Sequence, residues 1–390
     1  MDSLLSTADA AARLGVKRET LYAYVSRGLL TAHPLPGRRG SWFDPVELDA
    51  LAQRAREPGE RRPDFRITSA ITLVERGRYW YRGVAPDALA NALSFEGAAE
   101  WLWSGTRPEG PVAWPVDARG AERARAALAL VPPHAAPTDR VRIAMSVIGA
   151  MDPLRTDLRP AGAAATARRL VATTVAALAR RDCGPIAAQV ASMLTRRRLP
   201  APAIDALDRT LVVMADHELA ASTLAVRVAA AFRADPYAAV GAGLGALSGT
   251  LHGAASRRIE TLLVEIGRGL TPVEAAARLL EGDRGIPGFG HPLYPDGDPR
   301  VGLLLPLARR LGSTEAAEAL LAIAARQGAP PPNVDFALAA LTHALGLGPG
   351  AGEMLFTIGR LAGWLAHALE EYEARTDFRL RAVYTGPRPS

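Results

Sequence analysis

From about residue 67 onward, apolar and polar positions alternate with a period near 3.6 residues, broken by Gly and Pro. Stretches of this kind cover 161–181, 202–232, 238–247, 257–267, 272–280, 306–326 and 354–372. Each predicts an amphipathic helix. A further apolar run, 336–345, follows Asp335; an Asp alone in that place is most often an N-cap. Runs of alternating β-branched residues are missing. One extended spell, 67–81, is expected to form a small β-ribbon. The pattern is that of a mainly α chain. A helical part of this length exceeds one simple bundle and predicts a large helical domain with a smaller one inserted.

The first residues follow another plan. Ser6 and Thr7 can cap a helix beginning near Ala8, with Ala11, Ala12 and Leu14 on its apolar face. Gly15-Val16 makes a tight turn. A second helix is predicted over 18–26, with Leu21, Tyr22 and Val25 at helical spacing and Gly28 at its stop. Residues 35–43 read as a basic hairpin tip and 45–55 as a third helix. Helix, turn, helix, hairpin is the layout of a winged helix-turn-helix, assigned to residues 1–56. Residues 57–64 (EPGERRPD) are polar, carry Pro and Gly, and read as a linker.

Composition excludes several classes. With 49% hydrophobic, 22% charged and 6% aromatic residues, the chain is neither disordered nor collagen-like. The net charge is +6, yet Lys17 is the only lysine and Asn91 and Asn333 the only asparagines. That bias reflects an Arg- and Ala-rich genome more than a nucleic-acid surface. Cys183 is the only cysteine, so neither an intrachain disulfide nor a Cys-based metal cluster is available. The N-terminus lacks a signal-peptide pattern. The longest near-apolar run, 238–251, is too short to span a bilayer. A cytoplasmic protein without membrane partners is expected.

Three histidines sit in Gly-rich or polar punctuation rather than on regular helix faces. His217 lies in Asp216-His-Glu-Leu-Ala-Ala-Ser-Thr223. His252 lies in Ser248-Gly-Thr-Leu-His-Gly253, and His291 in Gly288-Phe-Gly-His-Pro-Leu-Tyr-Pro-Asp-Gly-Asp-Pro-Arg300. His343 and His367 fall in helical stretches and are expected to pack or face solvent. Zinc is disfavoured, because the three histidines are 35 and 39 residues apart with no i, i+4 pair. No G-x-S-x-G elbow appears for a Ser-His-Asp hydrolase. The glycine-rich 285–290 (GIPGFG) fits neither a Walker loop nor a dinucleotide fingerprint.

A set of short motifs, in order over roughly 320 residues, resembles citrate synthase. They are Tyr81-Arg-Gly83, Ser94-Phe-Glu96 with Leu102-Trp-Ser-Gly105, Asp216 to Thr223 with Arg227, and Asp235-Pro-Tyr-Ala-Ala-Val240. Then follow Leu251-His-Gly253, Gly288-Phe-Gly-His291 with Asp298-Pro-Arg300, Asn333-Val-Asp335, Arg360 with Gly363-Trp-Leu-Ala-His367, and Arg379 to Gly386. The resemblance implies a large helical domain (65–252 and 347–390), a small inserted domain (253–346) and an obligate homodimer with a shared active site. It implies condensation of oxaloacetate with acetyl-CoA, or with a short acyl-CoA such as propionyl-CoA. No metal and no cofactor are implied, since the CoA thioester is a substrate.

The same resemblance implies roles for single positions. Asp335 would be the base that enolises the thioester, His252 the donor to the enolate oxygen, and His291 the group polarising the oxaloacetate carbonyl. His217, Arg300, Arg360 and Arg379 would bind oxaloacetate, Arg379 from the partner subunit. Ile286, Pro287, Gly288, Phe289 and Gly290 would approach the adenine of CoA through their backbone. Where many bacterial citrate synthases have Arg after the motif histidine, this chain has Pro292, a form that also resembles citryl-CoA lyases. The first unit resembles the MerR and excisionase type of helix-turn-helix through Thr20-Leu-Tyr22, Arg27-Gly-Leu-Leu30 and Trp42-Phe43. That likeness implies DNA as a partner, although the net charge over residues 1–62 is only +2. A transcription regulator that uses the synthase-like body as a metabolite sensor is the alternative from a different class.

Overall fold

A computed structural model describes residues 4–26, 29–34, 40–56, 67–132, 134–180, 184–249, 255–280, 286–374, 376 and 378. The chain divides into two compact units, Met1–Thr68 and Ser69–Ser390.

In the first unit, β1 (Leu5–Ser6) leads into α1 (Thr7–Leu14) and α2 (Arg18–Ser26). Then come β2 (His33–Pro34), β3 (Ser41–Phe43) and α3 (Pro45–Arg56). Ser6 caps α1 by accepting the Asp9 N–H, and Gly15 ends it at φ +67°, the left-handed geometry that glycine adopts freely. The strands form a three-stranded antiparallel sheet in the order β1-β3-β2. Ala10, Leu21, Leu30, Phe43 and Leu48 make the core. The apolar face of α1 is Ala10 and Ala11 with Leu14 partly covered; Ala12 points to solvent, and Tyr22 is about half exposed. The tip of the hairpin, 35–39, and the linker 57–64 lie outside the described residues.

The second unit opens on a hairpin, β4 (Thr72–Glu75) and β5 (Arg78–Tyr81), with Thr72 opposite Tyr81 and Glu75 opposite Arg78. Its two-residue turn, Arg76-Gly77, has φ +48° and +72°, which matches the twist of paired strands. The expected ribbon is therefore present at 72–81. Helices follow: α4 (Pro86–Ala92), α5 (Phe95–Ser104), α6 (Ala118–Leu128), α7 (Pro137–Met151), α8 (Pro160–Leu178), α9 (Ile186–Leu194), α10 (Ala201–Met214), α11 (Ala221–Ala231) and α12 (Pro236–Leu247). The series ends with α13 (Ala255–Ile266), α14 (Pro272–Leu280), α15 (Pro299–Leu311), α16 (Glu315–Arg326), α17 (Val334–Ala344) and α18 (Ala351–Ala374).

Two sequence expectations are corrected, and one alternative is removed. The run 202–232 is two helices, α10 and α11, separated at Ala215–Ala220. The periodicity is continuous there, but Asp216 turns inward to accept the Glu218 N–H, and Glu218 takes φ +56°. The run 306–326 is also two helices. Pro299 starts α15 behind its N-cap Asp298, and Pro306 is carried inside it. Asp335 is not the N-cap of α17. Asn333 is, its side chain accepting the Asp335 N–H, which leaves the Asp335 carboxylate unengaged by the cap.

Helix α18 runs through the main core, packed against α5, α8, α10, α11 and α12. It is covered on nearly every face, so Glu353, Arg360, His367 and Glu371 are buried as well, while Glu370 and Glu373 near its end keep some exposure. A second core gathers Ile259, Leu263, Leu279, Phe289, Leu320 and Phe336 from α13 to α17. Glu260 on α13 joins the two by accepting the N–H groups of Gly350 and Gly352 at the start of α18. Among the described residues no helix is long and apolar enough to cross a membrane.

Candidate functional site

Backbone contact between α10 and α18 builds the first wall. A Cβ on Gly359 would lie 2.9 Å from Met214 Cβ. One on Gly363 would lie 2.3 Å from the Ala215 carbonyl oxygen and 2.4 Å from Asp216 Oδ1. Only glycine at both positions lets the end of α10 seat this deeply. The Tyr81 hydroxyl then donates to the carbonyl of Asp216 and accepts its N–H. His217 emerges from this clamped turn, buried, in the break between α10 and α11.

The second wall is the glycine-rich segment before His291. Gly288 and Gly290 take φ +81° and +71°. A side chain at Gly288 would meet Ile259 at 2.1 Å. The segment pairs with the chain leading into α17. Gly290 N–H donates to Pro331, Asn333 N–H to Gly288, and the Asn333 side-chain amide to Gly290. One unit therefore carries both His291 and Asp335. Within it, Gly288 and Phe289 are buried, and Ile286, Pro287 and Gly290 keep partial exposure.

His217, His291 and Tyr294 meet between the walls. His217 Nε2 and the Tyr294 hydroxyl share a hydrogen bond of 2.7 Å. The two imidazoles are 5.3 Å apart edge to face, and His291 stacks on Tyr294 at 4.8 Å. Burial, with Arg300 and Arg360 nearby, holds His217 well below its ordinary pKa. Burial and Arg300 lower His291 also, against the pull of Asp298. Both rings are neutral at physiological pH. His291 Nδ1 accepts the Leu293 N–H at 3.2 Å, so its proton sits on Nε2 and makes that atom a donor.

Two buried guanidiniums complete the cluster. Arg300 lies 6.0 Å from the Tyr294 ring centroid and pairs bidentately with Asp298 at 2.9 and 2.7 Å. Burial alone would lower its pKa; Asp298 raises it. Arg360 donates from Nε to the Met214 carbonyl and lies over Phe356, while its Nη2 is buried without a hydrogen-bond partner among the described residues. Burial lowers its pKa. A buried donor on a cation is costly unless an acceptor arrives.

Asp335 joins this group through charge. Burial raises its pKa from 3.8 to about 6, Arg300 opposing and Asp298 and Glu260 adding to the rise. His217, His291, Arg300, Arg360 and Asp335 thus share one electrostatic site. His252 and Arg379 lie outside the described residues. Among the described residues no group of three or more His, Cys, Asp or Glu side chains is placed to hold a metal ion.

Sequence reasoning left several members out. Tyr294 and Asp298 stood inside a quoted motif without a role. His367, expected to pack or face solvent, is fully buried behind the site. Its Nε2 is 3.3 Å from Asp216 Oδ2, and its Nδ1 is 3.0 Å from Arg227 Nη1. Arg227 in turn pairs with Glu371 at 2.8 Å and Glu370 at 2.5 Å. Arginine only donates, so His367 Nδ1 accepts and Nε2–H faces Asp216. Thr72 adds a hydroxyl to the same carboxylate at 2.5 Å. Burial pushes Asp216 up, but His367 and Arg360 hold its carboxyl below the usual range. The signal for this network was a buried charge at each of four positions, which periodicity does not report.

The family model for the C-terminal domain of citrate synthase matches residues 66–381, and a helix-turn-helix model matches 4–56. A 2-methylcitrate synthase of Mycobacterium tuberculosis is 31% identical over 352 residues, 82% of this chain and 88% of that protein. Citrate synthase 2 of Bacillus subtilis is 38% identical over 191 residues, and this match spans 47% of the chain and only 51% of that protein. The solved citrate synthase of Pyrobaculum aerophilum superposes with a TM-score of 0.69 at 26% identity, covering 83% of this chain and 91% of that one.

Proposed function

The chain belongs to the citrate synthase family, and from that premise we propose that it condenses oxaloacetate with a short acyl-CoA, acetyl-CoA or propionyl-CoA, to give citrate or 2-methylcitrate and CoA. The observation that carries the reading is Arg360, buried with an unpartnered Nη2 beside two neutral histidines. That set of donors suits an anion that also bears a carbonyl. The reaction needs no resident cofactor, because CoA enters as thioester and leaves as thiol.

The proposed steps use the site as follows. Arg360 and Arg300 hold the carboxylates of oxaloacetate, with His217 as a neutral contact. His291 donates its Nε2–H to the ketone oxygen. Asp335 takes a proton from the acyl α-carbon. Its raised pKa keeps it ionised at neutral pH yet more basic than a solvated carboxylate. His252 stabilises the enolate oxygen. The α-carbon attacks the polarised ketone, one carbon–carbon bond forms, and the new alkoxide is protonated. Water then cleaves the thioester. CoA approaches along 286–290, where Ile286, Pro287 and Gly290 remain partly open.

Arg379 completes the oxaloacetate site from a second copy, so the working unit is a homodimer. The large domain is 65–252 with 347–390 and the small one 253–346, joined to residues 1–56 by the linker 57–64. The match of a helix-turn-helix model supports a MerR- or excisionase-like module that binds DNA. The protein is assigned to the cytoplasm. The test is oxaloacetate-dependent thiol release from acetyl-CoA and propionyl-CoA. Release with either supports the reading, and none from a folded protein with both overturns it. Cleavage of citryl-CoA without condensation would instead favour the lyase reading that Pro292 raises.

A further inference from the structure

We propose that Asp298 is the positioning residue of this site, holding the carboxylate-binding guanidinium of Arg300 and the helix that carries Asp335 on one carboxyl group. The inference rests on the condensation reading above. Asp298 caps α15, and its side chain is fully enclosed. Oδ1 accepts the Arg300 N–H at 3.0 Å and Arg300 Nε at 2.9 Å. Oδ2 accepts Arg300 Nη2 at 2.7 Å and the N–H of Val334, the first residue of α17, at 2.9 Å. Four donors fill the accepting positions of one carboxylate.

Two consequences follow. The first is geometric. Nε and one Nη2 hydrogen of Arg300 are already engaged, so Nη1 and the second Nη2 hydrogen remain for substrate. The direction they face is set by the same oxygen that fixes the start of α17. A shift of Asp298 therefore moves the oxaloacetate contact and the base together. The second is electrostatic. The charges facing Asp335 are Arg300 and Asp298 from α15 and its cap, and Glu260 from α13. Arg300 favours the ionised base, while Asp298 and Glu260 favour the protonated one. Asp298 keeps the Arg300 field from draining basicity out of Asp335.

Two variants separate position from charge. Asp298→Asn keeps the size and removes the charge. With Arg300 unopposed, the Asp335 titration is expected to move to lower pH by about half a unit or more. The readout is infrared difference titration of the full chain against the same chain carrying Asp335→Asn, which needs no turnover. Asp298→Glu keeps the charge but displaces the anchor. It is expected to leave that titration in place and raise the oxaloacetate KM about tenfold or more. If Asp298→Asn does not fold, Asp298→Glu decides alone. An unmoved titration in Asp298→Asn, or an unchanged KM in Asp298→Glu, overturns the proposal. A parent that titrates as expected but releases no thiol would refute the reaction and leave the coupling standing.

Discussion

Replacing Asp335 by Asn is expected to strengthen the fold while disabling the enzyme. The carboxyl titrates at about 6 instead of 3.8 because it is desolvated. Near pH 8 that shift corresponds to about 3 kcal/mol against the ionised form in the folded chain. The N-terminus of α17 returns about 0.3–1 kcal/mol to a carboxylate in its first turn. About 2 kcal/mol of net stabilisation is left for the neutral amide. The helix cap does not intervene, because Asn333 and not Asp335 supplies it. The sign with pH is fixed as well. The folded carboxyl keeps its proton to higher pH than the unfolded one, so this group's favourable contribution is complete below about pH 4 and is lost as pH rises through about 6. Urea unfolding at pH 4, 6 and 8 should show the variant gaining on the parent as pH rises, with the smallest difference at pH 4. Condensation should fall by about 10²–10⁴. A variant less stable than the parent at pH 8, a gain independent of pH, or a rate above about a tenth of the parent's would refute the desolvated-base argument.

Gly363→Ala places a methyl group against Ala215 O and Asp216 Oδ1; it should cost about 1–3 kcal/mol in thermal unfolding and raise the oxaloacetate KM by displacing His217. Arg360→Met takes the donor from the Met214 carbonyl and a cation from the field of buried Asp216; calorimetry should show oxaloacetate binding lost and the melting temperature lowered. Chains carrying Arg379→Ala and His252→Ala, each inactive alone, should regain activity when mixed, because one site of the heterodimer is then intact; heterodimers without activity contradict a partner-supplied arginine. Removal of residues 1–60 should leave acyl-CoA kinetics within about a factor of two and abolish any salt-sensitive DNA binding, measured by thiol release and fluorescence anisotropy.

Helix identity was legible because the apolar face is a local property, and the ribbon was legible as the one extended spell, although its turn at Arg76-Gly77 was not placed. What periodicity missed were the places where tertiary contacts override a local pattern. The polar Asp216-His217-Glu218 marks the segment locally but does not end a helix by itself; the break follows from the Asp216 carboxylate, held by Thr72, His367 and the Glu218 N–H. Pro306 read as a start because a helix begins easily at proline, but Asp298-Pro299 is the stronger start and carries the chain through it. Asp335 also allowed the plainer reading of a cap, since Asp before an apolar run usually is one. Asn333, two residues earlier, takes that duty and leaves the carboxylate outside the cap. The histidines in Gly-rich punctuation pointed to the site, and His217 and His291 do meet there. Tyr294, Asp298 and His367 were silent because their roles exist only across the fold.

The account is tested most directly by identifying the product carbon by carbon. The full-length protein is given oxaloacetate and acetyl-CoA enriched in carbon-13 at the methyl position, and the mixture is followed by NMR. The predicted result is a methylene signal of a tricarboxylate that grows in step with free CoA and is absent from the Asp335→Asn chain. Free CoA appearing with labelled acetate, or no labelled tricarboxylate from a folded parent with either acetyl-CoA or propionyl-CoA, would contradict the claim that this site joins the two substrates.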